Sequence, residues 1–224
     1  MKLAALISGG KDSWYAAYLA EKHNNEIVCL VTLNPERDDS WMFHVPNIDK
    51  VQEQAEAAEI PLILLPTEGI KEQELSDLKE AINLAKQKHS IEGVCAGAIA
   101  SQYQKERVEN ICKELDLKLV APIWGMRPEQ YMLSLILDKF EVMVVGVAAE
   151  GLDKSFLGRN IDKEMINNFK KTDIHLAGEG GEYETFVLDC PLFKKRLEVW
   201  GSNTYMESKN TGKLIIDKIQ LLKK

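Results

Sequence analysis

The sequence has no CxxC pair. Its four cysteines, Cys29, Cys95, Cys112 and Cys190, stand apart, so neither a zinc ribbon nor a dithiol redox centre is expected, and the thiols read as small core residues. No apolar stretch approaches the roughly 20 residues that span a bilayer, and the N-terminus carries nothing resembling a signal peptide. A soluble, cytoplasmic protein with no membrane partner is the expectation. Basic runs are scarce as well: Lys194-Lys195-Arg196 is the nearest, and a formal charge of -7 argues against non-specific nucleic-acid binding. No repeat, low-complexity tract or glycine-serine linker divides the chain, so its parts should pack closely.

What is present is globular composition, 45% hydrophobic and 28% charged, organised around Ser8-Gly9-Gly10-Lys11-Asp12-Ser13. This loop lies between the apolar run Leu3-Ala4-Ala5-Leu6-Ile7 and the helical pattern from Trp14 to Ala20, which reads as strand, glycine turn and helix start. Gly9 and Gly10 let the backbone approach a ligand. Ser8 and Ser13 offer hydroxyls, Lys11 an ammonium, and the helix start its free N–H groups, all of which favour phosphate. Asp12 opposes an anion, so it is expected to cap the helix or to hold magnesium that the phosphates share. The loop is not GxxxxGK[ST], because the strand ends too close to Ser8 for that longer turn.

Beyond the loop, strands are expected over residues 26–33, 61–66, 91–99 and 117–122, the last at an edge, with helices over 49–59, 71–89 and 101–115. This alternation predicts an α/β fold with a Rossmann-like parallel sheet. The irregular stretch 34–47 leaves the carboxyl end of the second strand, where such sheets bind ligands. It contains His44, which either contacts a base or phosphate or serves packing. A second strand-to-helix junction offers Gly97 for close approach, Ser101 as a cap and Arg107 for an anion, unless Arg107 pairs with Glu106 or Glu109. The pattern changes at Trp124, which sets a boundary between residues 1–124 and a smaller α+β part, 125–224.

The second chemical stretch is Gly178 to Pro191, GEGGEYETFVLDCP. Its glycines suit a tight loop, but Glu179, Glu182 and Glu184 repel phosphate and suit a metal or an amine. Extended from 182 to 187, the chain puts Glu182 and Glu184 on one face and Tyr183 and Thr185 on the other.

SGGKDS resembles the PP-loop of the N-type ATP pyrophosphatases. Together with GAIASQYQKERVENIC from Gly97, LGRNID from Leu157 and GEGGEYETFVLDCPLF from Gly178, it is similar to the diphthine–ammonia ligase family of that superfamily. The resemblance implies a HUP-type ATP-binding domain at 1–124 and a substrate-binding domain at 125–224. It further implies amidation of diphthine on translation elongation factor 2 with ATP and ammonium, releasing AMP and pyrophosphate. On that reading Ser8, Gly9, Gly10, Lys11, Asp12, Ser13, His44, Gly97, Ser101 and Arg107 hold ATP, with magnesium on Asp12. Lys11, Asp12 and Glu182 are catalytic, and Glu179, Glu182, Tyr183, Glu184 and Thr185 meet the substrate, Tyr183 through its ring against a trimethylammonium group while Glu179, Glu182 or Glu184 attracts that group or binds ammonium. Another PP-loop adenylating enzyme and a non-catalytic ATP sensor stay open as alternatives, as does a homo-oligomer.

Overall fold

The computed structural model describes residues 1–35, 46–68, 71–97 and 102–224. In the first half, strands β1 (Lys2–Leu6), β2 (Glu26–Pro35), β3 (Leu62–Thr67), β4 (Gly93–Cys95) and β5 (Lys118–Val120) alternate with helices α1 (Lys11–Lys22), α2 (Val51–Ala58), α3 (Lys71–His89) and α4 (Gln102–Glu114). All strand pairs are parallel, in the order β3-β2-β1-β4-β5. The chain thus leaves β1 towards one edge and returns to β4 on its other side. That reversal opens a crevice at the carboxyl ends of β1 and β4, where this class of sheet binds ligands.

Alternation in β1 sends Leu3 and Ala5 to one face and Ala4 to the other. In β2 the register slips between Ile27 and Cys29, so two residues of equal parity serve opposite faces. Helices α3 and α4 cover one face through Leu78, Ile82, Val108 and Ile111. The opposite face is covered by α1 and α2, whose other sides meet the second half in one continuous core.

That second half contains α5 (Pro128–Leu137), β6 (Glu141–Ala148), α6 (Lys163–Phe169), β7 (Tyr183–Asp189), β8 (Lys195–Met206) and β9 (Thr211–Lys223). Its four strands form an antiparallel sheet ordered β7-β6-β9-β8. Helix α1 is clasped between the halves. Trp14 meets Phe193 edge-on at 4.7 Å, and Tyr15 packs against Tyr131 and Phe140. Asp138 accepts hydrogen bonds from Tyr15 and Tyr18 at 2.8 and 3.1 Å. Asn47 extends the join, donating to the Leu214 carbonyl and accepting from Ile216 N–H.

The α/β class, the edge position of β5 and the close packing of the parts follow the sequence pattern. One difference is the shortness of β4, three residues within the expected 91–99, which brings Gly97 back towards α1. All four cysteines are buried, and desolvation pushes the thiols of Cys29, Cys95 and Cys190 up to about 12, so they are inert core groups. Among the described residues no helix is long and apolar enough to cross a membrane.

Candidate active site

The loop after β1 owes its shape to backbone freedom and to neighbours far away in sequence. Gly9 has φ +86°, a conformation that side chains rarely adopt. Gly10 is the N-cap of α1 and supplies no side-chain cap, which leaves first-turn N–H groups for an outside acceptor. Lys11 N–H donates to Thr185 Oγ at 3.2 Å. Ser13 turns its hydroxyl onto the Gly10 carbonyl at 3.0 Å, and Ser8 N–H donates to the same hydroxyl at 3.3 Å. Thus Ser8, Gly9, Gly10 and Ser13 build the cradle, with Lys11 buried beneath it at 2% exposure.

Asp12 does not cap α1. At the second helical position its side chain projects towards α5, where Oδ1 accepts from Tyr131 O–H at 2.7 Å and Oδ2 from the Lys11 ammonium at 3.0 Å. Burial, reinforced by the Asp12 charge, raises the Tyr131 hydroxyl well above its ordinary range, so it remains a donor.

Gly97 closes the crevice from the β4 side. A Cβ there meets the Asp12 backbone carbon and oxygen at 2.6 and 2.7 Å and Ser13 N at 2.7 Å. These are main-chain atoms with no rotamer to swing away. Gly97→Ala therefore pushes the first turn of α1 out of place, and affinity for ATP, the ligand that the loop's resemblance implies, is expected in calorimetry to fall at least tenfold, about 1.4 kcal/mol; unchanged affinity contradicts this account of the cradle.

Strand β7 lies directly against the loop. Val187 N–H donates to the Gly9 carbonyl at 3.0 Å, and Gln54 on α2 binds the set together. Its amide donates to the carbonyls of Gly9 (3.0 Å) and Val187 (2.8 Å), and its oxygen accepts from Trp14 Nε1 at 2.9 Å. The phosphate-type loop and the acidic stretch therefore form one site.

Within it the acids divide. Glu182 accepts from His175 N–H and Gly180 N–H, each at 2.8 Å, and so pins the loop 175–181; the catalytic role expected for it meets a carboxylate already engaged. Glu179 N–H donates to His175 Nδ1 at 3.3 Å in the same loop. Tyr183 keeps its ring inside: it stacks on Phe169 at 4.6 Å, its hydroxyl donates to the Leu176 carbonyl, and the cation over it at 5.1 Å is the Lys11 ammonium. Alternation along β7 turns 183 and 185 towards α1, so this ring is not presented to an incoming cation. Glu184 stays half-buried beside the loop, and desolvation raises its carboxyl to about 7 against the opposing pull of Lys11.

Family comparison matches both halves. Residues 1–119 match the diphthamide synthase N-terminal domain, and residues 127–222 match the diphthamide synthase C-terminal domain. The chain belongs to the diphthamide synthase family. Its relatives include the diphthine–ammonia ligases of Mus musculus and Homo sapiens, each 38% identical over 93% of this chain and 86% of theirs. That of Schizosaccharomyces pombe is 37% identical over 88% of this chain and 36% of its own length.

In this diphthamide synthase family member, Ser8 to Ser13, Gly97 and Thr185 meet at the loop, the Tyr183 ring lies inside against Lys11, and Glu184 is within electrostatic reach of Lys11 and Asp12. Arg107 is half-buried on α4, and Glu109, one of the acids considered as its partner, pairs with Lys113 at 3.0 Å. His44 and Ser101 lie outside the described residues. Sequence reasoning missed Gln54 and Tyr131, which come from helices whose amphipathic pattern marks both positions only as inward-facing.

Proposed function

We propose that the protein amidates diphthine on translation elongation factor 2, using ATP and ammonium and releasing AMP and pyrophosphate. The observation that carries this reading is the joining of an anion-binding loop to β7 of the second half through Thr185 and Gln54, in a chain whose two halves both belong to the family.

A carboxylate is a poor acyl donor. Attack of its oxygen on the α-phosphorus of ATP makes an acyl-adenylate and expels pyrophosphate, and ammonia then displaces AMP. The loop N–H groups and Lys11 stabilise the charge that develops on the leaving pyrophosphate. Tyr131 holds Asp12 and Asp12 holds Lys11, so α5 fixes the direction of the ammonium group. The cradle suits phosphate, since Gly10 supplies no side-chain cap and Thr185 Oγ, which takes the Lys11 N–H, leaves the N–H groups of Asp12 and Ser13 to an outside acceptor, with the Lys11 side chain buried. Magnesium bound with ATP would supply further charge neutralisation, and Asp12 is the loop carboxylate that would share it, giving up its contact with the Lys11 ammonium to do so. His44, Ser101 and Arg107 complete the ATP contacts on this reading, and the cytoplasm is where the protein meets elongation factor 2.

Incubation with ATP, magnesium and ammonium is expected to yield AMP and pyrophosphate in amounts matching the amide formed, and only with diphthine-bearing elongation factor 2. ADP as product, or turnover indifferent to that factor, overturns the assignment. A pure ATP sensor gives no turnover in either arm.

A further inference from the structure

Ammonium presents this reaction with a problem that the phosphate loop does not solve. The nucleophile is ammonia, whose lone pair is blocked by a proton in the ion that predominates at neutral pH. The site must attract a small cation and then take a proton from it, and it must do so beside a loop built for anions.

The carboxylates around the crevice are not equivalent. Both oxygens of Asp12 are engaged, by Tyr131 and Lys11. Glu182 is engaged by two backbone N–H groups, and Glu179 belongs to the same loop. Glu184 differs: among the described residues nothing donates a hydrogen bond to it or forms an ion pair with it, and it is half-buried. A carboxylate only partly open to water and without a protein partner carries a desolvation cost that a bound cation relieves.

Its position is also built. Its side chain leaves β7 on the face opposite Thr185, the residue that accepts from Lys11 N–H, yet it stays within electrostatic reach of Lys11 and Asp12 of the loop. Across the sheet it faces Gly146 of β6, where the register slips between Val144 and Gly146. A Cβ at Gly146 would stand 2.9 Å from Glu184 Cβ and 3.3 Å from Cγ. Absence of a side chain on β6 is therefore what lets the stem of Glu184 lie where it does.

We propose that Glu184 receives the ammonium ion: its carboxylate holds the cation beside the acyl-adenylate and accepts the proton whose departure frees ammonia to attack. The inference rests on the ligase reading above. One N–H bond of ammonium breaks and its proton passes to a Glu184 oxygen. The nitrogen lone pair forms the C–N bond at the acyl carbon, and the C–O bond to the adenylate breaks with its electron pair leaving on AMP. The second proton, shed by the nitrogen as the amide forms, goes to solvent. A carboxyl that titrates at about 7 is matched to this exchange, since it is neither a permanent anion nor a permanent acid at neutral pH. The charges bearing on it are Lys11, which favours the anion, and Asp12, which opposes it.

The test compares two nucleophiles on diphthine-bearing elongation factor 2, ammonium and hydroxylamine, the second of which is uncharged at neutral pH and needs no proton removed before attack. Glu184→Gln is expected to lower amide formation from ammonium by about 100-fold and to leave hydroxamate formation within a few-fold of wild type. Equal loss with both nucleophiles assigns Glu184 a structural role and overturns the proposal, as does full ammonium activity in the variant. Should Glu184→Gln fail to fold, Gly146→Ala displaces the same carboxylate without removing it, and the same selective loss with ammonium is expected. Failure of the ligase reading itself shows separately, as wild-type protein that forms neither product.

Discussion

Replacing Lys11 with alanine is expected to lower AMP and pyrophosphate release by about 100- to 1,000-fold, the range seen when a preorganised charge-stabilising donor is removed from an active site. Lys11 is 2% exposed, and its ammonium group is aimed by Asp12, which Tyr131 holds in turn. Asp12 keeps its hydrogen bond from Tyr131 in the variant and is partly open to solvent, so the fold should survive the change. Pre-steady-state measurement should place the loss in pyrophosphate formation rather than in ATP binding alone. Lys11→Arg is not expected to rescue, because a planar guanidinium does not fit a space shaped for an ammonium between Asp12 and the Tyr183 ring. Full turnover in Lys11→Ala would refute the role given to the loop.

Gln54→Leu is expected to be the most destabilising single change near the site that touches no ligand. The amide is fully buried, with both donors and its acceptor used. Leucine leaves Trp14 Nε1 without its acceptor and removes one donor each from the Gly9 and Val187 carbonyls. At about 1–3 kcal/mol for a buried polar group left unpaired, the cost is about 2–4 kcal/mol, which for a chain of this length lowers the melting temperature by roughly 10 °C. ATP binding should weaken alongside, since Gly9 is held by this amide. A melt within a degree or two of wild type would show that the network contributes nothing net.

The contrast between these two residues explains how much was legible beforehand. Lys11 announces itself, because the physics of a strand, two glycines and a helix start is local and the residues that express it are adjacent in the chain. The parallel α/β half was readable for the same reason, through continuous apolar strands alternating with amphipathic helices. Gln54 sits on the inward face of a short amphipathic helix, which marks it as buried but not what it binds, and its partners lie 40, 45 and 133 residues away. Nothing local marks its role. Glu182 and Tyr183 show the converse: their letters suit a cationic ligand, yet Glu182 is engaged by the backbone of its own loop and Tyr183 by Phe169 and Lys11.

The sequence by itself determined that a glycine-lysine turn suited to an anion follows the first strand, that the surrounding domain is α/β, and that an acidic glycine-rich stretch of opposite charge preference exists elsewhere in the chain. Each of these is carried by neighbouring residues, whose spacing decides periodicity and turn chemistry directly. Tertiary structure decided that the two stretches are one site, that Asp12 is shared by Tyr131 and Lys11, and that of the acids near the loop it is Glu184 that stands without a hydrogen bond from the described residues. Those facts depend on which residues from distant segments meet when α1 is clasped between two sheets, and the packing of a continuous core sets that.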